Sequence, residues 1–159
     1  MVKKLLLLLA VAGMVGVSAG EARAQASFGA QASFADDMDL GVGARVYLGL
    51  PWDAMQFVGS FDYFFPDSDV LDYFELNANA VYALSAASAP SFFPYVGGGL
   101  NLARYGFDFG ELGDDSEIEM GLNAIGGAEF GTGPVKPFAE LRLELRDGGQ
   151  FVLAGGVHF

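Results

Sequence analysis

Apolar and polar residues alternate with a period of two in eight separate runs of this chain, and in most of them one alternate set is apolar while the other is small, amidic or charged. A period of two is the mark of an extended strand whose successive side chains point to opposite faces. Leu40 to Leu50 sets Leu40, Val42, Ala44, Val46, Leu48 and Leu50 against Gly41, Gly43, Arg45, Tyr47 and Gly49. Pro137 to Arg146 is sharper still, with Ala139, Leu141, Leu143 and Leu145 opposing Glu140, Arg142, Glu144 and Arg146. Ser27 to Ala35, Met55 to Phe65, Tyr73 to Leu84, Phe92 to Arg104, Ile118 to Phe130 and Phe151 to Phe159 complete the set. Polar or Gly- and Pro-containing segments separate the runs, the longest predicted connection being Tyr105 to about Glu117.

The composition of the two faces decides the fold class. A soluble β-barrel or sandwich also alternates, but it fills its interior with large apolar side chains and shows charged ones to water. Here Leu, Val and Phe occupy one face, and Gly, Asn, Ser and charged residues the other. That pattern suits a strand with lipid outside and a polar lumen inside. Eight is an even number, and each run is near the roughly 9–11 residues with which a tilted strand crosses a bilayer. The predicted fold is therefore all-β, a closed antiparallel eight-stranded up-and-down transmembrane β-barrel. With the N-terminus on the periplasmic side, Phe28, Trp52, Phe57, Tyr82, Phe92, Phe130 and Phe159 fall at that edge. Phe34, Tyr63, Phe65, Phe74, Tyr105 and Phe151 fall at the outer one, giving two aromatic girdles.

The start of the chain differs from the rest. Lys3 and Lys4 precede an apolar run from Leu5 to Val17, and Ala22-Arg23-Ala24 has the small-x-small form of a cleavage site. Residues 1–24 are expected to be a secretory signal peptide cleaved after Ala24, the apolar run being too short for the roughly 20 residues of a spanning helix. Residues 25–159 are then one barrel domain. Without the signal the chain carries 19 Asp and Glu (the full set less Glu21) and five Lys and Arg (less Lys3, Lys4 and Arg23), a formal charge of −14. Nucleic acid is an unsuitable partner for such a chain, since its recognition rests on basic residues facing phosphates. The absence of Cys removes disulfides and thiolate metal sites.

The last run, FVLAGGVHF, is apolar on one face with an aromatic at each end, and the chain ends on Phe159. It resembles the C-terminal strand of bacterial outer-membrane β-barrels. Pro94-Tyr95-Val96-Gly97-Gly98-Gly99-Leu100, Gly121-Leu122-Asn123 to Gly127-Ala128-Glu129-Phe130, and Phe138-Ala139-Glu140-Leu141-Arg142 carry the same likeness. Together they resemble the small eight-stranded outer-membrane barrels of the OmpA/OmpX type. The resemblance implies a cell outer-membrane location, export through the periplasm, outer-membrane lipids and the outer-membrane assembly machinery as partners, and a monomer. The chain departs from the OmpA plan in having no peptidoglycan-binding domain after the barrel, and from adhesive members in its short loops, so neither tethering nor adhesion is carried over.

Candidate chemistry lies on the polar face, where Arg45, Arg142 and Arg146 share a lumen with Asp62, Glu75, Glu119, Glu129, Glu140 and Glu144. An eight-stranded barrel is nearly filled by its own side chains, and enclosed charges must be paired. A salt-bridged structural plug is expected, with a narrow cation-preferring pore lined by the same residues as the alternative. Arg142 is expected to bridge carboxylates of the neighbouring strands, Glu129 and Glu119. The outer connections hold Asp36, Asp37, Asp39, Asp67, Asp69, Asp72, Asp108, Glu111, Asp114, Asp115, Glu117 and Asp147, and no Lys or Arg. They form a repulsive solvated surface, or one that captures divalent cations. The single His, His158, is expected to be a polar interfacial residue, and no nucleophile and base can be matched along the sequence, so neither an enzyme nor a cofactor is expected.

The resemblance makes Phe159 part of an assembly signal. Phe159→Ser is expected to leave exported but unassembled protein. Heat-modifiable migration on gels and the level of protein at the cell surface check this; parental values for both would refute it.

Overall fold

In the computed structural model, residues 26–36, 39–50, 54–66, 71–87, 89–108, 114–146 and 148–159 are described. The predicted signal peptide with Ala24, the girdle residue Trp52, and Asp37, Asp67, Asp69, Glu111 and Asp147 of the connections lie outside them. Eight strands run in order: β1 (Ala26–Ala35), β2 (Asp39–Gly49), β3 (Met55–Phe64), β4 (Leu71–Ala83), β5 (Phe92–Asp108), β6 (Asp114–Phe130), β7 (Lys136–Leu145) and β8 (Gln150–His158). Each pairs antiparallel with the next, and β8 returns to β1, closing the barrel. The closing seam pairs Gly29 with His158 and Ala35 with Val152. Beyond it, the Phe28 and Phe159 backbones exchange two hydrogen bonds, of 3.0 and 2.8 Å.

The alternation read from the sequence settles which face is which. Leu40, Leu76, Leu100, Leu122, Leu141 and Leu153 stand out from the wall, each about half exposed. An apolar surface that encircles a closed barrel is stable only in lipid, so the strands span a membrane. No helix among the described residues is long and apolar enough to cross one.

Two expectations change. β5 and β6 extend to Asp108 and from Asp114, so most of the predicted Tyr105–Glu117 connection is hairpin, with Tyr105 opposite Glu117 and Phe107 opposite Asp115. The ladder joins backbone groups and continues into water, where no apolar face marks it in the sequence. Tyr105, expected in the outer girdle, points inward instead. It packs on the buried cluster of Ala35, Phe64, Tyr73, Ala103 and Val152, its ring 4.7 Å from that of Tyr73. Because alternation continues through the longer strand, Tyr105 shares the face of Asn101 and Ala103.

Inward glycines set what can fill the lumen. Gly99 lies between Asn79 on β4 and Asn123 on β6 in register, and Asn123 Nδ2 donates to Asn79 Oδ1 at 2.9 Å over it. A Cβ at Gly99 would fall 2.1 Å from the Ala78 carbonyl oxygen and 2.5 Å from Asn79 Oδ1. Gly127 likewise separates Tyr95 from Glu140, whose side chains join above it at 2.9 Å, and Gly43 separates Gln31 from Asp62, joined at 2.5 Å. Each missing side chain lets the strands on either side touch. Gly99→Val is accordingly expected to abolish the folded, heat-modifiable band, because the obstructing atoms include backbone. Gly126→Ala, on the outer face with nothing within 4 Å of the new methyl, should fold as the parent does.

Candidate functional site

Much of the lumen is filled by polar side chains, in a charged network and a separate set of asparagine contacts. Near the end that bears the termini, Arg45 on β2 meets Glu140 on β7 in a fork, Nη1 donating to Oε2 at 2.8 Å and Nη2 to Oε1 at 2.5 Å. Paired parallel bonds of this kind are the strongest form of carboxylate recognition. Tyr95 adds its hydroxyl to Glu140 at 2.9 Å, and the Phe138 ring lies 4.4 Å from the Arg45 guanidinium carbon. Arg45 Nε also donates to Gln31, which passes the contact to Asp62 through its amide nitrogen, and Ser33 donates to the same Asp62 oxygen at 2.8 Å.

Arg142 continues the network. Its guanidinium donates to Glu144 at 2.9 Å, Glu75 at 3.3 Å and Asp62 at 3.5 Å, and all four side chains are sealed from solvent. In a ring of eight strands β7 lies diametrically opposite β3, so Arg142 crosses the lumen to reach Asp62. Arg146 completes the network toward the opposite end, with ion pairs of 3.2 Å to both Glu75 and Glu144 and with hydrogen bonds to the Tyr73 hydroxyl, at 2.5 Å, and Gln150. Tyr73 in turn donates to Glu75. On the side of β4, β5 and β6 the filling is amidic: Asn101 and Asn123 each donate to Asn77 Oδ1 at 2.9 Å.

Eight of the nine charged residues assigned to the lumen, Arg45, Asp62, Glu75, Glu129, Glu140, Arg142, Glu144 and Arg146, make ion pairs there. Glu119 is half exposed near the outer end and makes no ion pair among the described residues. Arg142 does not bridge Glu129 and Glu119. Register places Ile125 opposite Arg142 and Phe138 opposite Glu129, which puts Glu129 well down the barrel, while the long guanidinium reaches across instead of sideways. Gln31, Ser33, Tyr73, Tyr95 and Gln150 belong to the network too; their inward phase was readable, but nothing in their composition marked them as partners of charge. Arg104 is the converse case. It stands on the outer wall of β5, its guanidinium carbon 5.8 Å from the centre of the Phe74 ring, where a long side chain can lay its stem on apolar surface and hold its head at the interface.

A second cluster occupies the mouth at the end with the termini. His158 points inward and is buried, its ring stacked at 4.0 Å on that of Tyr47. Its Nε2 is 2.5 Å from Ser27 Oγ and its Nδ1 2.8 Å from Glu129 Oε1; the other Glu129 oxygen is 3.8 Å from Lys136 Nζ. His158 is therefore not the interfacial residue expected of it, and it does have a serine and a carboxylate beside it. Those partners come from the first and sixth strands and His158 from the eighth, a conjunction that only closure of the ring produces. Beside the cluster an open vestibule of about 550 Å³ is lined by Tyr47, Val58, Phe93 and Glu129, with Arg45 and Glu140 its deepest residues on β2 and β7.

No family model matches the chain, and no curated protein matches it in sequence. Solved structures do match. The N-terminal β-barrel domain of Pseudomonas aeruginosa OprF superposes with a TM-score of 0.68 at 17% identity, covering 84% of this chain and 95% of that one. The fold is that of the eight-stranded outer-membrane barrels. Neisserial surface protein A is similar at a TM-score of 0.62 and 19% identity, over 84% of this chain and 94% of that one. Ail, the attachment invasion locus protein of Yersinia pestis, is similar at 0.52 and 18%, over 84% and 96%.

Removing the Arg142 guanidinium would leave Asp62, Glu75 and Glu144 facing one another without their shared cation, and breaking a buried pair in this way costs about 3–5 kcal/mol. Arg142→Met is expected to lower the thermal unfolding temperature of the folded protein in detergent markedly. Melting at the parent temperature would mean that water already surrounds the group.

Proposed function

We propose that this chain is an integral outer-membrane protein with a structural or interaction role, its lumen closed to ions by its own charged side chains. Outer-membrane lipids are the partners of its apolar wall, and one chain suffices, since the sheet closes on itself and leaves no edge to pair. The observation that carries the reading is the run of contacts from Tyr95 through Glu140, Arg45, Gln31, Asp62 and Arg142 to Glu75 and Arg146. An ion entering this lumen would have to displace a guanidinium from carboxylates that hold it in a water-poor space, and each displaced group would lose its pairing. A narrow cation-preferring pore is the competing role, favoured by the vestibule at one mouth.

Ail is also described in complex with the heparin analogue sucrose octasulfate. The outer connections of this chain carry carboxylates and neither Lys nor Arg, so a polyanion is not proposed as its ligand.

Planar-bilayer recording decides between plug and pore. Pure folded protein is expected to give no steady openings, whereas reproducible cation-selective steps would overturn the plug.

A further inference from the structure

We propose that Ser27, His158 and Glu129 form a nucleophilic site that cleaves short-chain acyl esters entering the vestibule from the end of the barrel that bears the termini. The geometry is that of an activated serine: hydroxyl to imidazole at 2.5 Å, imidazole to carboxylate at 2.8 Å, through the two different ring nitrogens. Glu129, when ionised, only accepts, so Nδ1 carries the proton and donates it to Oε1. Nε2 of the neutral ring is then the free acceptor for the Ser27 hydroxyl. Stacking on Tyr47 at 4.0 Å fixes the plane of the ring, and Ser27 itself is only half buried. Lys136, opposite His158 in register and 3.8 Å from Glu129, places an ammonium at the same rim.

The purely structural account makes these contacts a clasp between the β1–β8 seam and β6. Ser27 and His158 do not line the vestibule themselves; the cluster adjoins it through Tyr47 and Glu129, which flank the imidazole. The substrate class follows from that space. Tyr47 and Glu129 belong to both the cluster and the vestibule, whose wall includes Leu50, Met55, Val58, Val81 and Phe93. A volume of about 550 Å³, walled by these apolar residues and floored by the Arg45–Glu140 pair, suits a short acyl chain with a polar ester group.

In the reaction, Ser27 Oγ attacks the ester carbonyl carbon while its proton passes to His158 Nε2. The carbon–oxygen bond to the alcohol breaks, and the alcohol leaves with that proton. Water then attacks the acyl-serine, giving a proton to Nε2; the acid departs, and the proton returns to Ser27 Oγ. The net change is ester plus water to acid plus alcohol. Ser27 and His158 are the catalytic residues, and Glu129 is a positioning residue that acts through the ring.

The test uses the full folded chain in detergent and a fluorophosphonate probe, with the adduct located by peptide mass. Labelling of Ser27 is expected in the folded form and not after heat unfolding, with hydrolysis of p-nitrophenyl butyrate faster than that of the palmitate ester. His158→Asn should slow labelling by about 100-fold, within the range by which a positioned base assists proton transfer. Glu129→Gln should slow it and displace the pH midpoint of labelling, which the loss of a mere clasp would leave in place. The measurement on the parent protein stands even if a variant does not fold. An unlabelled Ser27 in folded protein, beside a control serine hydrolase that reacts fully, overturns the proposal, as does unchanged labelling of folded His158→Asn.

Discussion

Arg142 ties opposite walls of the barrel together. It is fully buried and held by carboxylates from β3, β4 and its own strand, so its position is over-determined from three directions. A charge in a water-poor lumen is tolerable only if such partners are in place, which makes every neighbour's placement matter. Asp62 must be reachable across the diameter, Glu75 must share Arg146, and Gln31 must stand between Arg45 and Asp62. The strand pairings put these residues at the required heights, and their side chains in turn brace a wall whose inner apolar clusters are small.

The inward glycines are the other half of this constraint. Eight strands enclose a space too narrow for a full side chain at every inward position, and a glycine between two polar residues lets those two meet directly. Asn79 and Asn123 over Gly99, Tyr95 and Glu140 over Gly127, and Gln31 and Asp62 over Gly43 all follow that arrangement. The abundance of glycine in the chain is thus a packing requirement of the lumen as well as a feature of its turns.

The outer wall and the two mouths divide the remaining roles. Leu, Val and Phe side chains make the wall a lipid surface, and the described acidic residues Asp36, Asp115 and Glu117 are exposed at its outer end. The opposite mouth is different, since there a vestibule opens beside oriented polar groups that the charged network does not use.

Strand number, the face each residue occupies and the membrane setting were all legible in the sequence, because a period of two is a local property and lipid outside reverses the usual placement of apolar bulk. The inward phase of Arg45, Glu75, Glu140, Arg142, Glu144 and Arg146 was legible for the same reason. Their partners were not. Pairing depends on axial height, which register sets strand by strand, and on reach across the lumen, which sequence neighbourhood does not encode; Arg142 therefore meets Asp62 and Glu75 instead of Glu119 and Glu129. The extension of β5 and β6 is not legible in the sequence, because ladders of backbone bonds continue where no lipid imposes a pattern. Ser27, Glu129 and His158 lie on β1, β6 and β8, two of them more than a hundred residues apart, and only closure of the ring between β8 and β1 brings them within hydrogen-bonding distance.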